Sequence, residues 1–134
     1  MVGWKTKNRR KFLLQYHIIL VCKYRKTLLS HKNISDDIKE LSTVICNKHG
    51  IIIKCMETDK DHIHYMIEAD ANVDVSRIVN LIKSYTTYHI LEKYPKYLKK
   101  HFWKEKTFFT DGYFVSTIGN VSEEKLHEYI KNQG

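Results

Sequence analysis

The chain has 134 residues, 43% of them hydrophobic and 28% charged, which is enough for one buried core and too little for two. No apolar run approaches the ~20 residues of a transmembrane helix, and no apolar core follows the basic N-terminal residues, so neither a membrane span nor a signal peptide is expected. Three scattered cysteines without CxxC spacing exclude a disulfide framework or a zinc knuckle and fit a reducing cytoplasm, and a formal charge of +8 suits a polyanionic partner.

Residues 1–12 form a basic arm, and the whole of 1–134 reads as one domain without repeats or linkers. Tyr16 to Tyr24 is β-branched and aromatic and is predicted as a strand. From about Asn33 to His49, Ile34, Ile38, Leu41 and Ile45 recur at helical spacing, and Gly50 stands where a helix would stop. Ile51 to Met56 and His62 to Glu68 flank a polar turn and predict a β-hairpin. A second helix is expected from about Val75 to Glu92, with Pro95 past its end, then a strand over Gly112 to Ile118. The last helix starts near Ser122, a plausible N-cap with Glu123 and Glu124 in its first turn. The fold class is therefore α+β, a ferredoxin-like or RRM-like split βαβ antiparallel sheet with two helices on one face and an additional C-terminal helix.

Two clusters could carry chemistry. His62 and His64 are two apart on one strand, so their imidazoles share a face while Ile63 takes the other. Eight histidines in a chain this long give such a pair by chance with an expectation of roughly 0.5, so the pair decides little by itself. On the last helix Leu126, Tyr129, Ile130 and Gln133 share one stripe. That stripe is either an ordinary core tyrosine beside a surface amide, or a nucleophilic phenol with a metal-binding amide beside it. Among the basic residues, the run from Lys93 to Lys104 interleaves lysines with Tyr94, Tyr97, Phe102 and Trp103, as a single-strand binder would; the alternative is a solvated helix end and loop with inward-packed aromatics.

Taken in order, Tyr16-His17-Ile18-Ile19, Cys22-Lys23-Tyr24-Arg25-Lys26, Asp59-Lys60-Asp61-His62-Ile63-His64, Phe102-Trp103, Tyr113 to Gly119 and Glu128 to Gln133 resemble the successive motifs of the single-tyrosine HUH transposases, the TnpA enzymes of small insertion sequences. The resemblance covers nearly the whole chain. It implies that His62, His64 and Gln133 bind Mg²⁺ or Mn²⁺ and that Tyr129 is the nucleophile. It further implies a 5′-phosphotyrosine intermediate on single-stranded DNA, recognition of subterminal hairpins, and a homodimer in which composite sites are possible. Neither a nucleotide cofactor nor a membrane is implied. Asp61 reads as a turn or supporting residue, with its side chain opposite His62 if the strand already begins there. Arg9, Arg10, Lys11, Lys23, Arg25, Lys83, Lys99, Lys100, Trp103 and Lys104 are the candidate DNA contacts. Three other readings remain: a related HUH nickase of the replication or relaxase type, a non-catalytic single-strand nucleic-acid binder, and a domesticated copy.

Overall fold

The structure, a computed structural model, describes residues 13–117 and 128–133. The expected basic arm, and the predicted helix start at Ser122 together with Leu126, lie outside the described residues. In chain order the elements are β1 (Leu13–Val21), two short 3-10 turns (Lys23–Arg25 and Leu28–Ser30), α1 (Lys32–Lys48), β2 (Ile52–Thr58), β3 (His62–Asp70), α2 (Val75–Lys93), α3 (Pro95–Phe102) and β4 (Phe114–Thr117). Residues 128–131 are again helical. The strands form one sheet in the order β2-β3-β1-β4, and every neighbouring pair is antiparallel. This is the split βαβ arrangement.

Alternation along β1 and β3 decides which face is buried under the helices. Ile18 and Leu20, with Ile63, Tyr65 and Ile67, are fully buried and join Ile34, Ile38 and Ile45 of α1 and Ile78, Val79, Ile82 and Ile90 of α2 in one cluster. Burying an aliphatic side chain of this kind contributes about 1.5–3 kcal/mol. One polar pair lies inside it: the hydroxyls of Ser42 and Tyr65 are 2.8 Å apart, so neither is left without a partner. The intervening residues of the two strands, including His17, His62 and His64, therefore belong to the opposite face.

The helices begin and end for local reasons. Asp74 caps α2 by accepting from the Ser76 N–H at 3.0 Å. After α1 the chain turns at Gly50, whose φ of +70° a residue with a Cβ adopts only at a cost. Three boundaries differ from the sequence expectation. The first strand is displaced toward the N-terminus, because Tyr24 and Arg25 leave the sheet with φ of 59° and 53°. The last described strand, Phe114–Thr117, starts two residues after Gly112, and the expected end at Ile118 lies outside the described residues. Pro95 does more than follow a helix, since it also starts α3 at the position where its missing N–H costs nothing; the lysine and aromatic run is thus partly helical.

Candidate active site

His62 and His64 stand half-buried on the face of β3 turned away from α1 and α2, with Ile63 between them at 0% exposure in the core. The alternation expected from the sequence holds here. β3 begins at His62, so Asp61 belongs to the turn before it. The strand does not yet include Asp61, so its carboxylate is free to turn toward His62 as a turn and supporting residue. Asp61 Oδ1 lies 2.9 Å from His62 Nδ1. An ionised carboxylate can only accept, so the His62 ring donates from Nδ1, and in the neutral tautomer this contact favours the Nε2 lone pair is free.

His64 has a different partner. Its Nε2 is 2.8 Å from Nδ1 of His17, and the two rings are stacked with centroids 5.0 Å apart. His17 sits on β1 opposite Met66, two residues along β3 from His64 and on the same face, so the sheet brings a third imidazole to the pair. Burial, then the neighbouring His17, lowers the His64 pKa below the usual histidine value; Glu57 opposes and His62 adds to the effect. His64 is therefore neutral at pH 7, the form that can ligate a cation.

The tyrosine segment packs against the residues around β4. Tyr129 packs beside Phe114 with ring centroids 5.5 Å apart, and its hydroxyl lies over Gly112, where an added Cβ would be 3.6 Å away. That hydroxyl is buried without a hydrogen-bond partner among the described residues. Burial alone raises its pKa to about 12. Gln133 follows the helical residues 128–131, and its Oε1 accepts from Thr110 Oγ1 at 3.0 Å. One guanidinium joins this segment to the histidine strand: Arg25 Nε is 3.4 Å from Asp61 Oδ2, and a terminal nitrogen donates to the Lys131 carbonyl at 3.2 Å. The left-handed backbone at Tyr24 and Arg25 is what aims these side chains, and the surrounding main-chain bonds hold it. They include Lys23 N–H to Phe108 O and Cys22 N–H to Asp61 O, both 2.8 Å.

The sequence profile of the family described as "Transposase IS200 like" matches residues 6–133. The chain belongs to the IS200-like transposases. Two relatives are 25% identical to this IS200-like transposase. The ISDra2 transposase TnpA of Deinococcus radiodurans aligns over 91% of this chain and 85% of its own length. The transposase for insertion sequence element IS200 of Salmonella typhimurium aligns over 96% of this chain and 82% of its own. The fold is shared with a crystal structure of a Deinococcus radiodurans protein described as a transposase (TM-score 0.81, 24% identity, 91% and 92% of the two chains). It is also shared with a REP-associated tyrosine transposase solved bound to a REP hairpin (TM-score 0.57, 13% identity, 85% of this chain and 61% of that one).

Of the candidate DNA contacts in this IS200-like transposase, Arg9, Arg10 and Lys11 lie outside the described residues. Lys99, Trp103 and Lys104 line one open cleft of about 660 Å³ with Tyr88, Leu91 and Pro95, and the Trp103 ring is 75% exposed. Lys100 is exposed on the same short helix. Tyr24 connects that region to the histidines: its hydroxyl donates to Glu105 at 2.8 Å and its ring sits 6.2 Å from that of Phe102, while the next residue is Arg25. Lys23 lies 3.9 Å from the exposed carboxylate of Asp111. Lys83 departs from the expectation. Its ammonium donates to the carbonyls of Thr110, Asp111 and Gly112 at 2.7, 2.9 and 2.9 Å, which uses all three of its donors and leaves none for a phosphate. His17, Thr110 and Gly112 were missed by the sequence reading. For His17 a signal existed, because once Ile18 and Leu20 are placed in the core, His17 must face the way His64 does.

Among the described residues no helix is long and apolar enough to cross a membrane.

Proposed function

We propose that this transposase cleaves and rejoins single-stranded DNA at the ends of its insertion sequence through a 5′-phosphotyrosine on Tyr129. The observation that carries the reading is the buried Tyr129 hydroxyl, which has no hydrogen-bond partner among the described residues, on a segment that Arg25 ties to Asp61 beside the histidine pair. In the proposed step the Tyr129 oxygen forms a bond to the scissile phosphorus and the bond from phosphorus to the 3′-oxygen breaks. The phenol loses its proton and the departing 3′-OH gains one. Reversal by another 3′-OH restores the phosphodiester, so no nucleotide cofactor is needed. A phenol with a pKa near 12 is a poor nucleophile at neutral pH, so the site must supply positive potential.

The residues fit a divalent cation, Mg²⁺ or Mn²⁺. His62 offers Nε2, Gln133 Oε1 keeps a second lone pair beside its bond from Thr110, and His64 offers a nitrogen once its proton is shared with His17 or that contact opens. The ligand set that the family resemblance implies, the two imidazoles of His62 and His64 and the Gln133 amide, would leave coordination positions for substrate oxygens. A divalent cation held by these residues would supply Lewis-acid polarisation of the phosphate and offset charge in the transition state.

The DNA path runs along the cleft of Lys99, Trp103 and Lys104 toward Tyr24, offering stacking surfaces and phosphate partners in turn. Hairpin recognition draws support from the hairpin-bound relative, and the homodimer from the family resemblance. Incubating the protein with single-stranded DNA that covers the element's flanks, with Mg²⁺ or Mn²⁺, should give an SDS-resistant adduct. EDTA and Tyr129→Phe should each abolish it. Tight binding to DNA containing the true ends, without any adduct, would favour a non-catalytic or domesticated binder.

A further inference from the structure

We propose that Lys83 is a positioning residue for the tyrosine-bearing segment. Its ammonium gathers the carbonyls of Thr110, Asp111 and Gly112 into a cradle against which Gln133 and Tyr129 dock. Three consecutive carbonyls do not converge on one point without a cation or a set of donors, because their dipoles repel one another. Here the convergence point is the Lys83 Nζ, half-buried at the end of a stem rooted in α2, with all three contacts within 2.9 Å. The two ends of the cradle are the two groups that meet the C-terminal segment. Thr110 donates its hydroxyl proton to Gln133, and Gly112 offers the bare backbone over which the Tyr129 hydroxyl lies. Thr110 N–H also donates to the Val21 carbonyl at 2.8 Å, so the same loop is fixed to the end of β1, next to the turn that carries Arg25. Removing the ammonium leaves three carbonyls without their donor and frees the loop to turn. The registration of Tyr129 and Gln133 relative to the histidines is then lost, although neither residue has changed.

The consequence for catalysis rests on the phosphotyrosine reading, but the cradle does not, and the test separates them. Hydrogen exchange would be followed by mass spectrometry on the DNA-free protein for wild type, Lys83→Met, Lys83→Arg and Thr110→Val. Lys83→Met keeps the apolar stem and removes the donors. It is expected to speed exchange of the peptide covering residues 128–134 by about tenfold while the β1 and β3 peptides keep their protection. Lys83→Arg, which restores charge and donors in a planar fork, should fall between the two. Thr110→Val should reproduce the loosening at Gln133, and it decides the matter should Lys83→Met not fold. In parallel, the single-turnover adduct rate of Lys83→Met should fall by about 100-fold with DNA affinity within about twofold of wild type. Unchanged exchange at residues 128–134, or equal acceleration in every peptide, would overturn the proposal. Local acceleration alongside a wild type that forms no adduct would uphold the cradle and refute the tyrosine chemistry.

Discussion

Asp61 serves two partners with its two oxygens, His62 Nδ1 at 2.9 Å and Arg25 Nε at 3.4 Å, and this makes it the hinge between histidine strand and tyrosine segment. Replacing it with Asn keeps the shape and removes the charge that fixes the His62 tautomer. Asp61→Asn should therefore raise the Mn²⁺ concentration giving half-maximal adduct by about 10–100-fold, with direct Mn²⁺ titration shifting alike. The sequence showed Asp61 beside the histidines as a turn or supporting residue but left the direction of its side chain conditional on where the strand begins. That direction depends on whether Asp61 is inside β3, where alternation would turn it away from His62, or in the turn before it, where alternation does not apply. His17 was hidden for a different reason. Its relation to His64 is a diagonal across two strands, and register is a tertiary quantity.

At the scale of elements, the split βαβ order was readable because hydrophobic spacing and turn residues agreed with each other along most of the chain. Gly50 is one such point of agreement: the helix period ends there and the backbone takes φ +70°. Nothing lies within 4 Å of a Cβ built on it, so Gly50→Ala meets no neighbour and its effect comes from the backbone alone. The expected loss is about 1 kcal/mol in urea unfolding, with an unchanged slope. Between α1 and α2, Asp37 accepts from the Tyr94 hydroxyl and pairs with Lys93 at 2.8 Å. Burial acts to raise the Asp37 pKa, but the bonds from Lys93 and Tyr94 outweigh it, and the carboxyl ionises below the usual carboxylate value. A lowered folded-state pKa stabilises fully above the unfolded value of about 3.9, and that contribution disappears as pH falls through the folded value. Asp37→Asn should thus lower the urea midpoint at pH 7 and flatten its decline below about pH 4, which a pH series of urea melts would show. α3 escaped the sequence reading because a helix of eight residues carries too few turns for periodicity to stand out against its lysines.

For the whole molecule, the excess of 23 basic over 15 acidic residues sets how binding responds to salt, but the structure redistributes that excess. Lys83 spends its charge on carbonyls, Arg25 on Asp61 and Lys131, and Lys93 on Asp37, while Lys99, Lys100 and Lys104 keep theirs toward solvent around Trp103. Affinity for single-stranded DNA should fall with a log–log salt slope of about −0.7 per phosphate contacted. Changing Lys99, Lys100 or Lys104 to Gln should each make that slope shallower by up to about 0.7, measured by fluorescence anisotropy across a salt series. Lys83→Gln should leave the slope unaltered, because no donor of Lys83 faces the DNA.

By itself the sequence determined the order of the four strands and the two long helices, the common face of His62 and His64, and the motif succession that places the chain among IS200-like transposases. Each of these depends on local spacing, and strand alternation and helical period transmit local spacing faithfully. Only the tertiary structure decided which charges are free, that His17 reaches His64, that Asp61 turns back onto His62, and that Lys83 builds the seat of Tyr129. Those relations join residues 20 or more positions apart, apart from Asp61 and its neighbour, and they follow from sheet register and loop closure, which no pattern along the chain records.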